Sequence, residues 1–226
     1  MLSPQEALVL ATSLKVATLA VLGSLPFAVV VGFVLSRQFP GKLAVEGITH
    51  LPIILPPVLV GFLLLMIFGI HGPIGELLAL WGIRLAFTAN GAALATAVMT
   101  FPVFVRTIRL SFEATNRSLF EAAAVLRAGP LDRFFSIALP LAGPGILAGM
   151  VMAFAAALGE FGAVITFAAN IPGHTQTLPL AIYAVLQEPG GEAQAMRLAF
   201  LSILLAILGL AMAGMLQRWS SRRLSE

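Results

Sequence analysis

The sequence has no cysteine and little charge. Asp, Glu, Lys and Arg together make up 10% of its 226 residues, whereas hydrophobic residues make up 59%. The absence of cysteine excludes a disulfide framework, a thiol nucleophile and a thiolate metal site. The scarcity of charge excludes a soluble domain of ordinary composition, whose surface needs more polar groups. We therefore expect an integral membrane protein, and we attribute its net charge of +3 to membrane topology rather than to nucleic-acid binding.

Motifs for ATP binding and for catalysis are also missing. A phosphate-binding loop needs the pattern G-x-x-x-x-G-K-[ST], and the pair Gly41-Lys42 has Ser36 in place of the first glycine and Leu43 after the lysine. Three histidines occur in separate loops or at span ends, namely His50, His71 and His174. They form no catalytic triad or zinc motif. We expect no enzyme activity, no metal site and no cofactor.

Apolar runs long enough to cross a bilayer occur five times. A membrane helix needs about 20 largely apolar residues, because backbone groups cannot stay unpaired in lipid. The five segments are residues 8–35, 48–70, 86–108, 134–157 and 196–217. Pro140 and Pro144 predict a kink in the fourth segment, since each proline removes a helical donor. We expect an all-α polytopic membrane protein with a single transmembrane domain over residues 1–226.

The positions of the basic residues predict the orientation. Most of the 13 lysines and arginines lie in the first loop, in or beside the third loop and at the C-terminus. Five spans put these regions on one side, which basic residues identify as the cytoplasm. The N-terminus and residues 71–85 and 158–195 then lie outside. We expect residues 158–195 to contain the end of the fourth helix followed by a broken or re-entrant element.

A short charged segment at residues 118–129 interrupts the apolar sequence. Ser118 and Glu121 have the spacing of a capping box, and Gly129-Pro130 is typical of a helix end. At about 1.5 Å per residue, the predicted helix is too short to cross the membrane. Its alanines would let another protein approach the backbone closely. An ordinary interfacial helix anchored by arginines is the alternative interpretation.

Glu121-Ala122-Ala123, followed by Ile137 and Leu139-Pro140, resembles the cytoplasmic EAA loop of ABC importer permeases in residue type and spacing. In that family the loop forms a coupling helix that docks in a cleft of the ATP-binding subunit. The family usually has glycine six residues after the glutamate, where this chain has Arg127, and a glycine follows at Gly129. This departure predicts a coupling helix about half a turn longer than usual.

Residues 158–192, LGEFGAVITFAANIPGHTQTLPLAIYAVLQEPGGE, resemble molybdate permeases and, less closely, sulfate permeases. Residues 13–28 and 50–65 resemble the same subunits. The resemblance implies a type I ABC importer permease fold in a bacterial or archaeal cytoplasmic membrane. It also implies a homodimer of permeases, two ATPase subunits and a separate extracytoplasmic substrate-binding protein. Sulfate permeases tend to be longer than this chain, which favours molybdate over sulfate. Sulfate and tungstate stay as the alternative substrates.

Five residues of the outer region are candidates for the transport pathway or for contact with the binding protein: Glu160, Thr166, Asn170, Pro172 and Gly173. A pathway must release its dianion, so neutral groups such as those of Thr166 and Asn170 suit it better than a fixed charge. The Glu160 carboxylate would repel the cargo, so we expect it to pair structurally or to contact a partner, with a solvated helix end as the alternative. Lys15 is interpreted as a residue that extends to the membrane interface.

Two functions of a different class are a membrane scaffold and an intramembrane enzyme. An intramembrane hydrolase would need ionisable residues that face each other within the spans, and the spans hold few of them. A scaffold would not need the proline breaks at positions 52, 56, 57, 140 and 144. Both are therefore weaker predictions than a transport subunit.

Overall fold

The structure is a computed structural model that describes residues 3–223. Every regular element within that range is a helix. The helices are α1 (Pro4–Leu35), α2 (Lys42–Ile54), α3 (Pro57–Phe68), α4 (Pro73–Ala79), α5 (Ala89–Glu113), α6 (Arg117–Val125), α7 (Pro130–Arg133), α8 (Leu139–Leu141), α9 (Gly143–Leu158), α10 (Gly162–Phe167), α11 (Leu178–Leu186) and α12 (Glu192–Arg223). A π-helical turn, Phe134–Ala138, joins α7 to α8. The side chains of Arg117 and of the C-terminal arginines, which the orientation prediction used, lie outside the described part.

Up to five membrane spans can be counted in the described residues. The helices α1, α5 and α12 are each long and apolar enough to cross a bilayer. Two bent pairs also qualify when each pair is taken as one span, α2 with α3 and the α7–α8 segment with α9. The all-helical architecture with about five spans is thus confirmed. Most of its elements are shorter than the apolar runs of the sequence.

The second predicted span, residues 48–70, is not one continuous helix. The chain bends by 112° between α2 and α3, and the break lies at Leu55 and Pro56. Leu55 has an extended ψ of 148°, because a residue before proline is disfavoured in the helical conformation. Pro56 and Pro57 also lack the backbone N–H groups that would continue α2. The kink predicted in the fourth span is present as a 65° bend between Leu141 and Gly143.

The first helix starts earlier than the apolar run, at a capping box that sequence analysis did not identify. Ser3 Oγ accepts the Glu6 N–H at 3.2 Å, and Glu6 Oε2 accepts the Ser3 N–H at 2.7 Å. The same Glu6 oxygen lies 3.2 Å from Arg197 Nη2 of α12. Glu6 is only 3% exposed whereas the Arg197 side chain is 62% exposed, so the contact joins a buried carboxylate near the N-terminal end of α1 to an exposed guanidinium near the N-terminal end of α12.

The centre of the fold is built from α1, α5 and α9, which pack closely against one another. Phe104 and Ile108 of α5 are fully buried there. Small residues on the neighbouring helices make this approach possible: a Cβ at Gly32 would lie 2.9 Å from Ile108 Cγ2, and one at Gly145 would lie 2.2 Å from Ser111 Cβ. Glycine at such contacts is typical of membrane helix interfaces, where close packing replaces the hydrophobic effect.

The outer region, residues 158–195, is broken into α10, a loop and α11. The short helix α10 packs against α3 and α5, and α11 packs against α12. Phe167, Leu178 and Leu180 are at most 1% exposed. The helices α10 and α11 are therefore packed into the rest of the chain, whereas the loop between them is exposed at Pro172 and Gly173.

Candidate functional site

The candidate coupling helix, α6, starts at an asparagine cap. Asn116 Oδ1 accepts the N–H of Ser118 at 3.0 Å, and the helix runs from Arg117 to Val125. The capping box predicted from Ser118 and Glu121 is therefore wrong, because Ser118 already lies in the first turn. Asparagine is as good an N-cap as serine and stands two positions earlier. Glu121 lies in the middle of α6 with its side chain exposed.

The C-terminal end of α6 also differs from the prediction. Arg127 has a φ of 60°, in the left-handed region. The Ala128 N–H donates to the Ala123 carbonyl at 2.9 Å and the Arg127 N–H donates to the Ala124 carbonyl at 3.0 Å. These two bonds form a Schellman ending, in which the left-handed position usually carries glycine. The expected half-turn extension is absent because Arg127 adopts this conformation itself.

Gly129 does not end α6. It is the N-cap of α7, whose first residue is Pro130, and its φ of −67° is not left-handed. The remaining residues of the predicted motif belong to the fourth span: Ile137 lies in the π-helical turn, and Leu139 and Pro140 lie in α8. Ile137 and Leu139 are half-buried and Pro140 is exposed. The motif thus covers two structural units, the helix α6 and the first half of the fourth span.

Large apolar side chains at the end of α6 and in the residues that follow it are exposed. Val125 is 83% exposed and Leu126 is 82% exposed, and Leu131 and Phe135 are exposed as well. Ala122 is exposed and Ala123 is half-buried on the same helix. Contiguous exposed apolar groups beside charged ones are typical of a protein interface. Sequence analysis missed Val125 and Leu126, although their apolar character immediately after the alanines was visible.

An ion-pair triad ties the α2 segment to α5. Arg109 Nη1 lies 2.7 Å from Glu46 Oε1, and Arg109 Nε lies 2.7 Å from Glu113 Oε1. Together with His50 and Arg106 these groups line a cavity of about 370 Å³. Sequence analysis used the arginines only as markers of topology. Glu46, the partner of Arg109, lies in a different helix and 63 positions away in the sequence, so no helical repeat connects the two residues.

Glu160 and Thr166 lie at α10. Glu160 Oε1 accepts the Ala163 N–H at 3.0 Å, so its carboxylate caps the first turn of the helix. Thr166 Oγ1 donates to the Gly162 carbonyl at 3.0 Å. Thr166 also faces α3, since a Cβ at Gly61 would lie 2.8 Å from Thr166 Cβ. Both side chains therefore have structural partners within the chain, and both are half-buried.

Asn170, Pro172 and Gly173 lie in the loop between α10 and α11. Asn170 Nδ2 donates to the Leu180 carbonyl at 3.4 Å, while its buried Oδ1 has no hydrogen-bond partner in the described part of the chain. Pro172 and Gly173 are exposed and line a cavity of about 340 Å³ with residues of α1, α11 and α12. The structure thus brings these two residues to the N-terminal end of α1 and separates them from Thr166 and Glu160, which pack near α3. Among residues 3–223 there is no cluster of three or more His, Asp or Glu residues that could hold a metal ion.

Comparison with known proteins identifies the family. Residues 24–226 match the family described as binding-protein-dependent transport system inner membrane component. The chain is 52% identical over 213 residues to the molybdenum transport system permease protein of Escherichia coli K12, covering 93% of each chain. It is 36% identical to the sulfate transport system permease protein of Salmonella typhimurium, covering 72% of this chain and 59% of that one.

The fold has relatives among solved structures. A bacterial alginate ABC transporter, crystallised with its alginate-bound periplasmic protein, contains a chain that superposes with a TM-score of 0.75 at 17% identity. The match covers 96% of this chain and 79% of that one. This family and fold imply a multi-pass inner membrane protein. Its partners are an ATPase subunit and a substrate-binding protein, and the ATPase subunit hydrolyses the ATP. The chain belongs to the family of inner membrane components of binding-protein-dependent transport systems and is a permease subunit.

Proposed function

We propose that this chain is the permease subunit of an ATP-driven importer of molybdate. The observation that carries this proposal is the 52% identity to the Escherichia coli molybdenum permease over 93% of both chains. The lower identity and coverage against the sulfate permease favour molybdate over sulfate. The absence of a phosphate-binding motif in the sequence agrees with an energy source in another chain.

The proposed working complex contains two copies of this chain, two ATPase subunits and an extracytoplasmic binding protein. Its N-terminus lies outside and its C-terminus lies in the cytoplasm. The proposed ATPase contact is α6, with Glu121, Ala122 and Ala123 and the exposed apolar residues at its end. The proposed contact with the binding protein is the outer loop that contains Pro172 and Gly173. The exposure of both surfaces supports these roles.

In the proposed mechanism, ATP-driven closure of the two ATPase subunits draws the two copies of α6 together. The permease dimer then changes from an inward-facing to an outward-facing arrangement, to which the loaded binding protein delivers its anion. Thr166 and Asn170 are proposed to offer neutral donors along the pathway. Their donors now bond to the carbonyls of Gly162 and Leu180, so they can serve the anion only after these bonds open.

Reconstitution of the complete complex in proteoliposomes tests the proposed function. We expect uptake of labelled molybdate that requires ATP, the ATPase subunit and the binding protein. Excess tungstate and excess sulfate test the alternatives, and an ATPase subunit with its catalytic glutamate replaced is the control. Full uptake without an active ATPase would refute the transport mechanism. A complex whose ATP hydrolysis responds to loaded sulfate-binding protein rather than molybdate-binding protein would refute the substrate.

The lack of cysteine makes the proposed orientation easy to test. The variants Leu43→Cys and His174→Cys each introduce a single thiol at an exposed position, one at the start of α2 and one in the outer loop. In intact cells we expect a membrane-impermeant maleimide to label position 174 and to reach position 43 only after permeabilisation. Labelling of both positions from the same side contradicts the five-span orientation.

A further inference from the structure

We propose that Arg37 is a positioning residue that transmits movement of α6 to the membrane spans. Its guanidinium group lies between Phe120 of α6 and Phe33 of α1. This inference rests on the proposed function, because movement of α6 has a role only if α6 contacts the ATPase. It adds a residue outside the EAA motif to the coupling machinery.

The Arg37 guanidinium lies at the same distance from the two rings, and we call this group of three side chains the stack. Arg37 Cζ lies 4.8 Å from the ring centroid of Phe33 and 4.8 Å from that of Phe120. Both distances are within the range of about 6 Å at which a cation is attracted to an aromatic ring. A planar guanidinium can contact rings on both of its faces, which an ammonium group cannot do equally well. Arg37 therefore connects two rings from different helices.

The attachment of α6 to the rest of the protein makes this contact important. Within residues 3–223, no other helix packs extensively along α6. Phe120 is half-buried and packs against the core cluster that contains Phe104, Ile108 and Phe112. Leu119 and Val125 of the same helix are exposed. Side-chain contacts of Phe120, rather than a long helix interface, therefore hold α6 in place.

The stack continues into the spans through Phe33. The ring of Phe33 meets that of Phe112, at the end of α5, edge-to-face with centroids 5.3 Å apart. It meets the ring of Phe134, the first residue of the π-helical turn, edge-to-face at 4.7 Å. Edge-to-face contacts are directional, so a displaced ring favours displacement of its neighbours. Movement of Phe120 can thus reach α1, α5 and the fourth span through Arg37 and one further ring.

A purely structural brace would look the same but would behave differently. Loss of a brace lowers the stability of the complex and reduces ATP hydrolysis and uptake together. Loss of a transmitting contact leaves the ATPase bound and active while fewer anions cross for each ATP hydrolysed. The number of molybdate ions transported per ATP therefore separates the two roles.

The test uses the reconstituted complex with its ATPase and binding protein. Arg37 is exposed, and an exposed cation–π contact is worth about two- to fivefold in an equilibrium. We expect Arg37→Gln and Phe120→Leu each to lower molybdate uptake per ATP by about this factor, with ATPase assembly retained. Phe120→Tyr keeps an aromatic ring and should stay near the unaltered ratio, and Arg37→Lys should give an intermediate ratio. The double variant Arg37→Gln, Phe120→Leu should be no worse than the poorer single variant, because both changes remove one shared contact.

Arg84→Gln is the matched control, since Arg84 is an exposed arginine in the loop before α5. It should leave uptake per ATP unchanged. Additive losses in the double variant, equal impairment by Phe120→Leu and Phe120→Tyr, or parallel falls in hydrolysis and uptake would overturn the Arg37 proposal. If either Arg37→Gln or Phe120→Leu does not accumulate in the membrane, the uptake per ATP of the remaining variant is compared with that of Phe120→Tyr, and this comparison tests the proposal. Failure of the unaltered chain to bind the ATPase refutes the proposed function instead.

Discussion

Two regions of this protein interrupt its apolar sequence with short helices, and they differ in whether their apolar side chains are exposed or buried. The coupling region, residues 116–141, leaves Leu126 82% exposed on a helix that no described helix packs against extensively. The outer region, residues 158–195, buries Leu180 completely and encloses α10 between α3 and α5. A break in a membrane helix is therefore ambiguous until the surroundings of its side chains are known. We propose that the first break serves another chain, whereas the second completes this chain's own interior.

Polar groups differ between the two regions in the same way. In the outer loop, Thr175 is fully buried, and its Oγ1 accepts the Ile171 N–H at 3.0 Å and donates to the Ala169 carbonyl at 2.9 Å. In the coupling region, Glu121 and Arg127 are exposed. Most buried polar atoms are hydrogen-bonded within a chain, with Asn170 Oδ1 as an exception in this loop, whereas exposed ones are free to meet a partner. The comparison predicts that the same kind of substitution will affect stability in one region and association in the other.

The largest expected effect is on the interior of the outer region. Phe167→Ala removes a ring that is 0% exposed and should lower the free energy of unfolding by about 3–5 kcal/mol. Phe135→Ala removes a ring that is 60% exposed and meets Phe134 edge-to-face at 5.0 Å, so it should lower the same free energy by only about 1 kcal/mol. Denaturant titration in detergent measures both values. Similar losses in the two variants would remove the distinction between the regions.

The next effect concerns association with the ATPase. Leu126→Asp places a charge on the exposed apolar surface and should weaken ATPase binding by at least about 30-fold, the loss expected at an interface hot spot. Leu80→Asp is the control, because Leu80 is 79% exposed on the opposite side of the predicted topology. Co-purification at graded ATPase concentrations gives the affinities. Equal weakening by both substitutions would show that the end of α6 is not a specific contact.

A smaller effect tests the close approach of α3 to α10. A Cβ at Gly61 would lie 2.6 Å from the Ala163 carbonyl oxygen, so Gly61→Ala should cost about 1–3 kcal/mol through overpacking. Gly23→Ala is the matched control, since no atom lies within 4 Å of its Cβ position. Thermal unfolding of both variants should separate them. A Gly61→Ala protein as stable as the control would place the two helices further apart.

The smallest effect is stabilising. Arg127→Gly should raise the stability of the α6 ending by about 1 kcal/mol, because the left-handed conformation costs a side chain of L-configuration about 1–2 kcal/mol. Arg133→Gly should instead destabilise the end of α7 by about 1 kcal/mol, because Arg133 has a helical φ of −60°. Hydrogen exchange of the α6 amides reports on the first change, and that of the amides around position 133 reports on the second. Faster exchange in Arg127→Gly would contradict the Schellman ending.

Sequence reasoning predicted the number of spans, the kink at Pro140 and Pro144 and the existence of α6. These features follow from strong local requirements: lipid demands long apolar helices with paired backbones, and proline removes donors. Proline breaks at positions 56 and 57 were noted, but residues 48–70 were still predicted as one span because the apolar run continues through the proline pair. Hydropathy measures how long the apolar run is but does not show that the helix axis changes direction within it.

The details of the candidate site were less predictable. Asn116 and Ser118 are both good caps, so local preference could not decide between them. The conformation of Arg127 was unexpected because arginine has no intrinsic preference for positive φ. The contacts of Arg37 with Phe120 and of Arg109 with Glu46 join residues far apart in the chain. Such pairs depend on how the helices pack, and a single sequence carries no record of that packing.

The bond between Glu6 and Arg197 has a consequence for biogenesis, since the two residues are 191 positions apart. Ribosomes deliver the N-terminal helix to the membrane long before the last one. The Glu6 carboxylate therefore has no contact with Arg197 while most of the protein is being synthesised and inserted. The contact forms only when the final helix arrives, so it closes the bundle at the last step of assembly, and a chain truncated before that helix leaves a carboxylate without its counterion.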